Sequence, residues 1–219
     1  MVNYGHLALF LRICSVILNF LMLNFMKWID VCLAILIALP ILATVILGYF
    51  LARNGKKALG KPAIHPFLFF TGKFFLFGLW AVFSFIAMFP EYRYLVPFQI
   101  QDSITDLQKI IACISLIPAN LIIVPAYLKM GLITHIGIPE GNHELRTTGI
   151  YNYSRNPMYA SFIFLNLATF LYLPSLLLLL IMIYGMVVHH FIILAEEKYL
   201  EDKFGVAYQN YKLNVRRYF

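Results

Sequence analysis

Six long apolar runs decide what this chain can become. They lie at about 7–26, 29–51, 66–89, 108–128, 157–173 and 175–195, and most approach or exceed the ~20 apolar residues that carry a helix across the hydrocarbon core of a bilayer. The expected fold class is therefore all-α, a polytopic transmembrane helical bundle of about five to six spans. Composition agrees, with 62% of residues apolar or aromatic and 12% charged, against roughly half and a quarter in an ordinary soluble domain. A water-soluble globular domain, a disordered chain, a collagen and a secreted disulfide scaffold are all excluded. The first run contains Arg12 and is parted from the second only by Met26-Lys27-Trp28. The two are expected to form a tight helical hairpin, or the first to lie partly in the interface. Pro118 and Pro125 are expected to bend the fourth span, because each removes a backbone hydrogen bond.

The net charge of +7 does not point to nucleic acid, because the basic residues sit in loops between apolar runs rather than on one soluble face. They report topology instead. Loop 52–65 carries Arg53, Lys56, Lys57 and Lys61 with no acid, whereas loop 90–107 sets Glu91, Asp102 and Asp106 against Arg93. The basic loop is expected on the cytoplasmic side. Counting onward puts residues 129–156 and the basic tail 196–219 on that side too, giving an integral, multi-pass membrane protein with both termini cytoplasmic. No Lys or Arg precedes the first run and no small-residue cleavage site follows it, so it is expected to be retained rather than removed as a signal peptide. Cys14, Cys32 and Cys113 each stand alone in an apolar run and are expected to be buried, reduced packing residues. His189 and His190 have no ligating neighbour three or four residues away, so no metal site is expected.

Polar residues without an obvious solubility role concentrate in the second of two regions. Residues 1–128 read as transmembrane helices, and 129–219 as a capping loop, the last two spans and a tail. The loop 129–156 contains Ile133, Ile136, Leu145, Ile150 and Tyr151, enough apolar surface to pack back on the bundle as an ordered cap. It ends in Ser154-Arg155-Asn156-Pro157-Met158-Tyr159. Ser154 or Asn156 can cap the following helix and Pro157 suits its first turn, which leaves Arg155 either as a fixed positive charge at a helix N-terminus, an anion site, or as an arginine snorkelling to lipid phosphate. The last span runs into Glu196-Glu197. Neighbours on a helix point about 100° apart, so at least one of these carboxylates is expected to face the bundle and to have a partner or ligand there. Phe204, Tyr208 and Tyr211 form an aromatic stripe suited to packing or to membrane anchoring.

Taken together, Gly149-Ile150-Tyr151, Arg155-Asn156-Pro157-Met158-Tyr159, Glu196-Glu197-x-x-Leu200 and Phe204-Gly205-x-x-Tyr208-x-x-Tyr211, with His143-x-Leu145 and Thr148-Gly149 upstream, resemble the C-terminal signature of the isoprenylcysteine carboxyl methyltransferase and phospholipid methyltransferase superfamily. The resemblance implies a cytoplasmic C-terminal cofactor-binding region for S-adenosylmethionine and a lipophilic substrate entering from the bilayer, either a prenylcysteine carboxylate or a phospholipid amine head group. Carried over by position, it implies cofactor binding by His143, Leu145, Tyr151, Arg155, Pro157, Glu196 and Glu197. Catalytic roles fall by the same carry-over to Arg155, Asn156, Tyr159 and Glu197. The family commonly has His where this chain has Asn156, and Asn cannot titrate near pH 7. Methyl transfer from a sulfonium needs alignment and a dry site more than a metal or a dedicated nucleophile.

Two rival readings differ in class. An NADPH-dependent membrane sterol or enone reductase has a similar Arg-x-x-Tyr and acid-rich C-terminal region, but tends to show a tryptophan-rich element, and Trp28 and Trp80 both lie far upstream. A non-catalytic membrane subunit or carrier explains the spans but gives Arg155 and the glutamate pair nothing to do.

Overall fold

The computed structural model describes residues 4–55, 60–130, 138 and 144–219. Within them the chain forms helices α1 (Tyr4–Arg53), α2 (Pro66–Met88), α3 (Asp106–Met130), α4 (Pro157–Tyr172), α5 (Leu176–Phe204) and α6 (Val206–Asn214), with short 3-10 turns at Pro90–Leu95 and Gly149–Asn152. Four of these contain segments long and apolar enough to cross a membrane: Lys27–Arg53, Pro66–Met88, Asp106–Lys129 and Leu176–Phe204. Helix α4, of 16 residues, is apolar but shorter.

The first two apolar runs do not fold as a hairpin. They form one continuous helix of 50 residues, about 75 Å at the usual helical rise, more than twice the thickness of a hydrocarbon core. The reason lies at the junction. Residues 24–30 contain neither Gly nor Pro, and without either of these strongest breakers the helical pattern continues through Lys27 and Trp28. With the hairpin goes the count that set the N-terminus on the same side as the tail. Helix α3 likewise runs unbroken through Pro118 and Pro125. Cys32 is exposed rather than buried, and Cys113 is half-buried.

The core is built where α1, α2, α3 and α4 meet, around Leu33, Ile37, Leu76, Trp80, Phe83, Leu116, Ile123 and Leu165. Among its few polar side chains, Trp80 Nε1 donates to Asn166 Oδ1 at 3.1 Å. At one end of the bundle Lys109 meets Asp30 at 2.7 Å, and the Tyr172 hydroxyl donates to the same carboxylate at 3.1 Å. A carboxylate placed there by α1 thus ties α3 to the end of α4.

Helices α2 and α5 approach through glycine. A Cβ on Gly72 would stand 2.5 Å from Val188 Cγ1, and one on Gly185 would stand 2.5 Å from Leu76 Cγ. Neither obstacle is the far end of a flexible chain, so Gly185→Leu must push the helices apart. It is expected to cost about 1–3 kcal/mol, read as a lowered thermal midpoint in detergent; an unchanged midpoint would contradict this close approach.

At the other end, segments distant in sequence are tied together. Lys61 N donates to Ile138 O at 3.1 Å and Ile138 N to Lys61 O at 2.9 Å, while Arg155 N donates to Arg216 O at 2.9 Å. The loop after α1, the connection before α4 and the C-terminal tail therefore share one end of the bundle, as the charge count places them relative to one another.

Candidate functional site

The α4 N-terminus is shaped by a tail that folds back on it. Asn156 occupies the N-cap position but makes no side-chain cap; its amide donates instead to Glu197 Oε1 at 3.0 Å and to Arg217 O at 3.3 Å. Ser154 does not cap the helix either. Its hydroxyl donates to Arg217 O at 3.2 Å and accepts from Asn156 N at 3.1 Å.

Arg155 is spent on the same frame. Nε donates to Glu197 Oε1 at 3.1 Å, Nη2 stands 3.1 Å from that oxygen, and Nη1 donates to Val215 O at 2.6 Å and Lys212 O at 3.2 Å. The other Glu197 oxygen accepts from Arg217 Nε at 3.1 Å and Nη2 at 3.0 Å. Side-chain exposures of 8% for Arg155 and 6% for Glu197 make this a buried, charge-assisted network in which the Glu197 oxygens already receive five nitrogen contacts. Arg217 is a third exposed, so its share is smaller. Arg217→Ala is expected to cost about 1–2 kcal/mol and to speed proteolysis of the C-terminal tail; a tail as resistant as wild type would show that Arg217 does not hold it.

Glu196 has a different neighbourhood. Both of its oxygens lie 3.1 Å from the Tyr159 hydroxyl, the single hydrogen-bond donor among the described residues for a group with about four acceptor sites. Lys73, on α2, lies nearby, beside the Tyr159 ring. The Lys73 ammonium stands over two aromatic rings, 4.8 Å from the centroid of Phe69 and 5.7 Å from that of Tyr159, a cation–π setting. The glutamate pair is thus divided: both face inward, Glu197 saturated by protein donors and Glu196 able to take more.

The remaining expected residues flank this corner. Tyr151 is buried in the 3-10 turn, its carbonyl accepting from the Tyr211 hydroxyl at 2.6 Å, while its own hydroxyl is buried without a partner among the described residues. Burial pushes the Tyr151 phenol well up, so it remains a proton-bearing donor. Tyr208, buried beside Arg155 and Glu197, is pushed up to about 12, chiefly by burial. The aromatic stripe therefore packs inward through Tyr208 and Tyr211, with Gly205 at a positive φ of 51° making the break between α5 and α6. Pro157 is buried in the first turn of α4. Leu145 is half-buried in the run leading to the turn and offers only apolar surface. His143 lies outside the described residues.

A cleft of about 410 Å³ opens between α4 and α5 next to this corner, walled by Tyr159, Phe162 and His189 and reaching the surface at Met186, Val187 and Phe191. Lys73, His189 and Arg217 had no assigned part in the site read from sequence. A lone cation inside an apolar run is a signal for Lys73; nothing local marks the other two.

The architecture is that of a polytopic helical membrane protein whose buried ion network and apolar-mouthed cleft lie side by side. Residues 107–207, a little under half of the chain, match the sequence profile of the phospholipid methyltransferase family, which makes this stretch similar to membrane methyltransferases acting on lipid substrates. The match begins in α3 and takes in α4 and α5. A 62-residue stretch, 28% of this chain, is also similar to an uncharacterised protein of Haemophilus influenzae, at 45% identity over 98% of that protein.

Proposed function

We propose that this protein is an integral membrane methyltransferase that takes its methyl group from S-adenosylmethionine at the cytoplasmic face and transfers it to a lipophilic acceptor reaching the site from the bilayer. The observation that carries the reading is the unequal glutamate pair: a saturated Glu197 that fixes the frame and an under-coordinated Glu196 on the same turn.

The residues present suit the donor. Ribose hydroxyls and an amino group are hydrogen-bond donors, which the Glu196 carboxylate can accept, and the Tyr151 hydroxyl, without a partner among the described residues, supplies a donor for a carboxylate or ring nitrogen. When bound, the donor supplies an electrophilic methyl group on a sulfonium. The chain itself supplies position and dryness. Glu196 binds, Tyr159 holds Glu196 in place, and Arg155, Asn156 and Glu197 fasten the start of α4 to α5 and the tail, so that Tyr159 and Glu196 keep their distance. Leu145 and Pro157 provide apolar wall, and His143 sits on the chain just ahead of them. Alignment of this kind is what an in-line displacement needs, and a site closed by its own tail keeps water from competing.

Asn156 acts here as an amide that donates to Glu197, a role that does not require a titrating group. Addition of S-adenosylhomocysteine, the demethylated product, is expected to raise the thermal midpoint of the detergent-purified protein, because a ligand that binds only the native state stabilises it. A rise with NADPH and none with the product would move the protein to the reductases.

A further inference from the structure

Of the polar side chains lining the cleft between α4 and α5 that the proposed transfer has not used, His190 and Tyr218 pair with each other at 2.7 Å, whereas His189 stands apart. His189 is 3% exposed and lies in the cleft wall. Its Nδ1 is 2.7 Å from the Gly185 carbonyl oxygen. A carbonyl only accepts, so in the neutral ring Nδ1 carries the hydrogen and Nε2 presents a lone pair. That Nε2 is buried and has no partner among the described residues. An unmet buried acceptor is destabilising, and a cleft wall is a place where a ligand can meet it.

The surroundings say what the ligand looks like. The cleft mouth is hydrocarbon, with Met186, Val187 and Phe191 41%, 51% and 55% exposed on helix α5, which is long and apolar enough to span the bilayer. Inside, Tyr159 and Phe162 stand against His189, with ring centroids 5.7 Å and 5.3 Å from the imidazole. Tyr159 is also the residue whose hydroxyl reaches Glu196. One aromatic side chain thus separates the open carboxylate from the open imidazole, and His189 lies seven positions before Glu196, about 10 Å along the helix.

We propose that this cleft seats the acceptor lipid, with its hydrocarbon chain running out between α4 and α5 and an N–H or O–H of its head group donating to His189 Nε2. This rests on the methyltransferase reading and narrows it. An unmet lone pair in the cleft wall favours a head group that carries hydrogen on its nucleophile, an amine or a hydroxyl. It disfavours an ionised carboxylate, which has only lone pairs to offer. His189 is thereby a specificity-determining residue of α5.

The test uses binding to the detergent-purified full chain rather than turnover, with hexadecanol and hexadecyl methyl ether as probes of equal chain and unequal donor. Wild type is expected to bind the alcohol about 10-fold more tightly than the ether, the factor that corresponds to about 1.4 kcal/mol. His189→Phe is expected to erase that preference and His189→Gln, which keeps an acceptor oxygen, to retain part of it. Val187→Phe changes an exposed position at the mouth and is expected to weaken both probes together. It decides the cleft's role even if a His189 variant fails to fold. Equal binding of the two probes by wild type, a preference that survives in His189→Phe, or probe binding untouched by Val187→Phe would each overturn the assignment. S-adenosylhomocysteine is titrated in the same samples. Product binding without an alcohol preference overturns the acceptor seat and leaves the methyltransferase reading standing, whereas the preference without product binding supports the seat and removes that reading.

Discussion

Glu197→Gln is expected to lower stability by about 3–5 kcal/mol, the cost of removing one partner from a buried ion pair and leaving the others uncompensated. The carboxylate is shared by two guanidinium groups and an amide, and all three were positioned by it. Gln keeps the shape and one acceptor oxygen but brings an NH2 group against Arg155 or Arg217. The damage should propagate. Arg155 also binds the carbonyls of Lys212 and Val215, so loosening it frees the tail from the start of α4. The expected result is a fall of many degrees in the thermal midpoint in detergent and early cleavage after α6. A midpoint within a degree of wild type would mean that the network is ornamental and that Glu197 has some other task.

Glu196→Gln is expected to do the opposite: little change in midpoint, and a loss of about 10- to 100-fold in affinity for S-adenosylhomocysteine, corresponding to the roughly 1.5–3 kcal/mol of a hydrogen bond to a charged group. Its one described hydrogen-bond donor, the Tyr159 hydroxyl, can be accepted equally well by an amide oxygen, so the fold keeps its contact. What disappears is the negative charge that would attract ligand hydroxyls and an ammonium. The adjacent substitutions thus separate a positioning residue from a ligand-binding one. If Glu196→Gln destabilised and Glu197→Gln abolished binding in a protein of normal stability, the two roles would have to be exchanged.

The spans were legible because apolar run length is nearly sufficient to define a membrane helix, and the second part of the chain was legible because its polar residues had no solubility role. The α1 junction was not. Lys27 and Asp30 look like the ends of two spans, yet residues 24–30 hold neither Gly nor Pro to stop the helix. Arg155, Asn156 and Glu197 could be named from motif, but not their pairing, which joins positions 42 and 41 apart. Much of the frame is also invisible in any sequence, because Arg155, Asn156 and Ser154 bind backbone carbonyls of the tail, whose side-chain identities carry no trace of the contact. His189 was hidden for another reason. In an apolar helix a histidine satisfied at both nitrogens and one open at Nε2 read alike, and only the packing of α4 against α5 distinguishes them.

The central claim is that the corner formed by Glu196, Tyr159 and Tyr151 holds a methyl donor. It is tested most directly by isothermal titration of the detergent-purified wild-type protein and Glu196→Gln with S-adenosylhomocysteine, with NADPH as the control ligand. Saturable binding of the product to wild type, weakened about 10- to 100-fold in Glu196→Gln and with no heat from NADPH, is the predicted result. Binding of NADPH alone, or product binding that Glu196→Gln leaves unchanged, would contradict it.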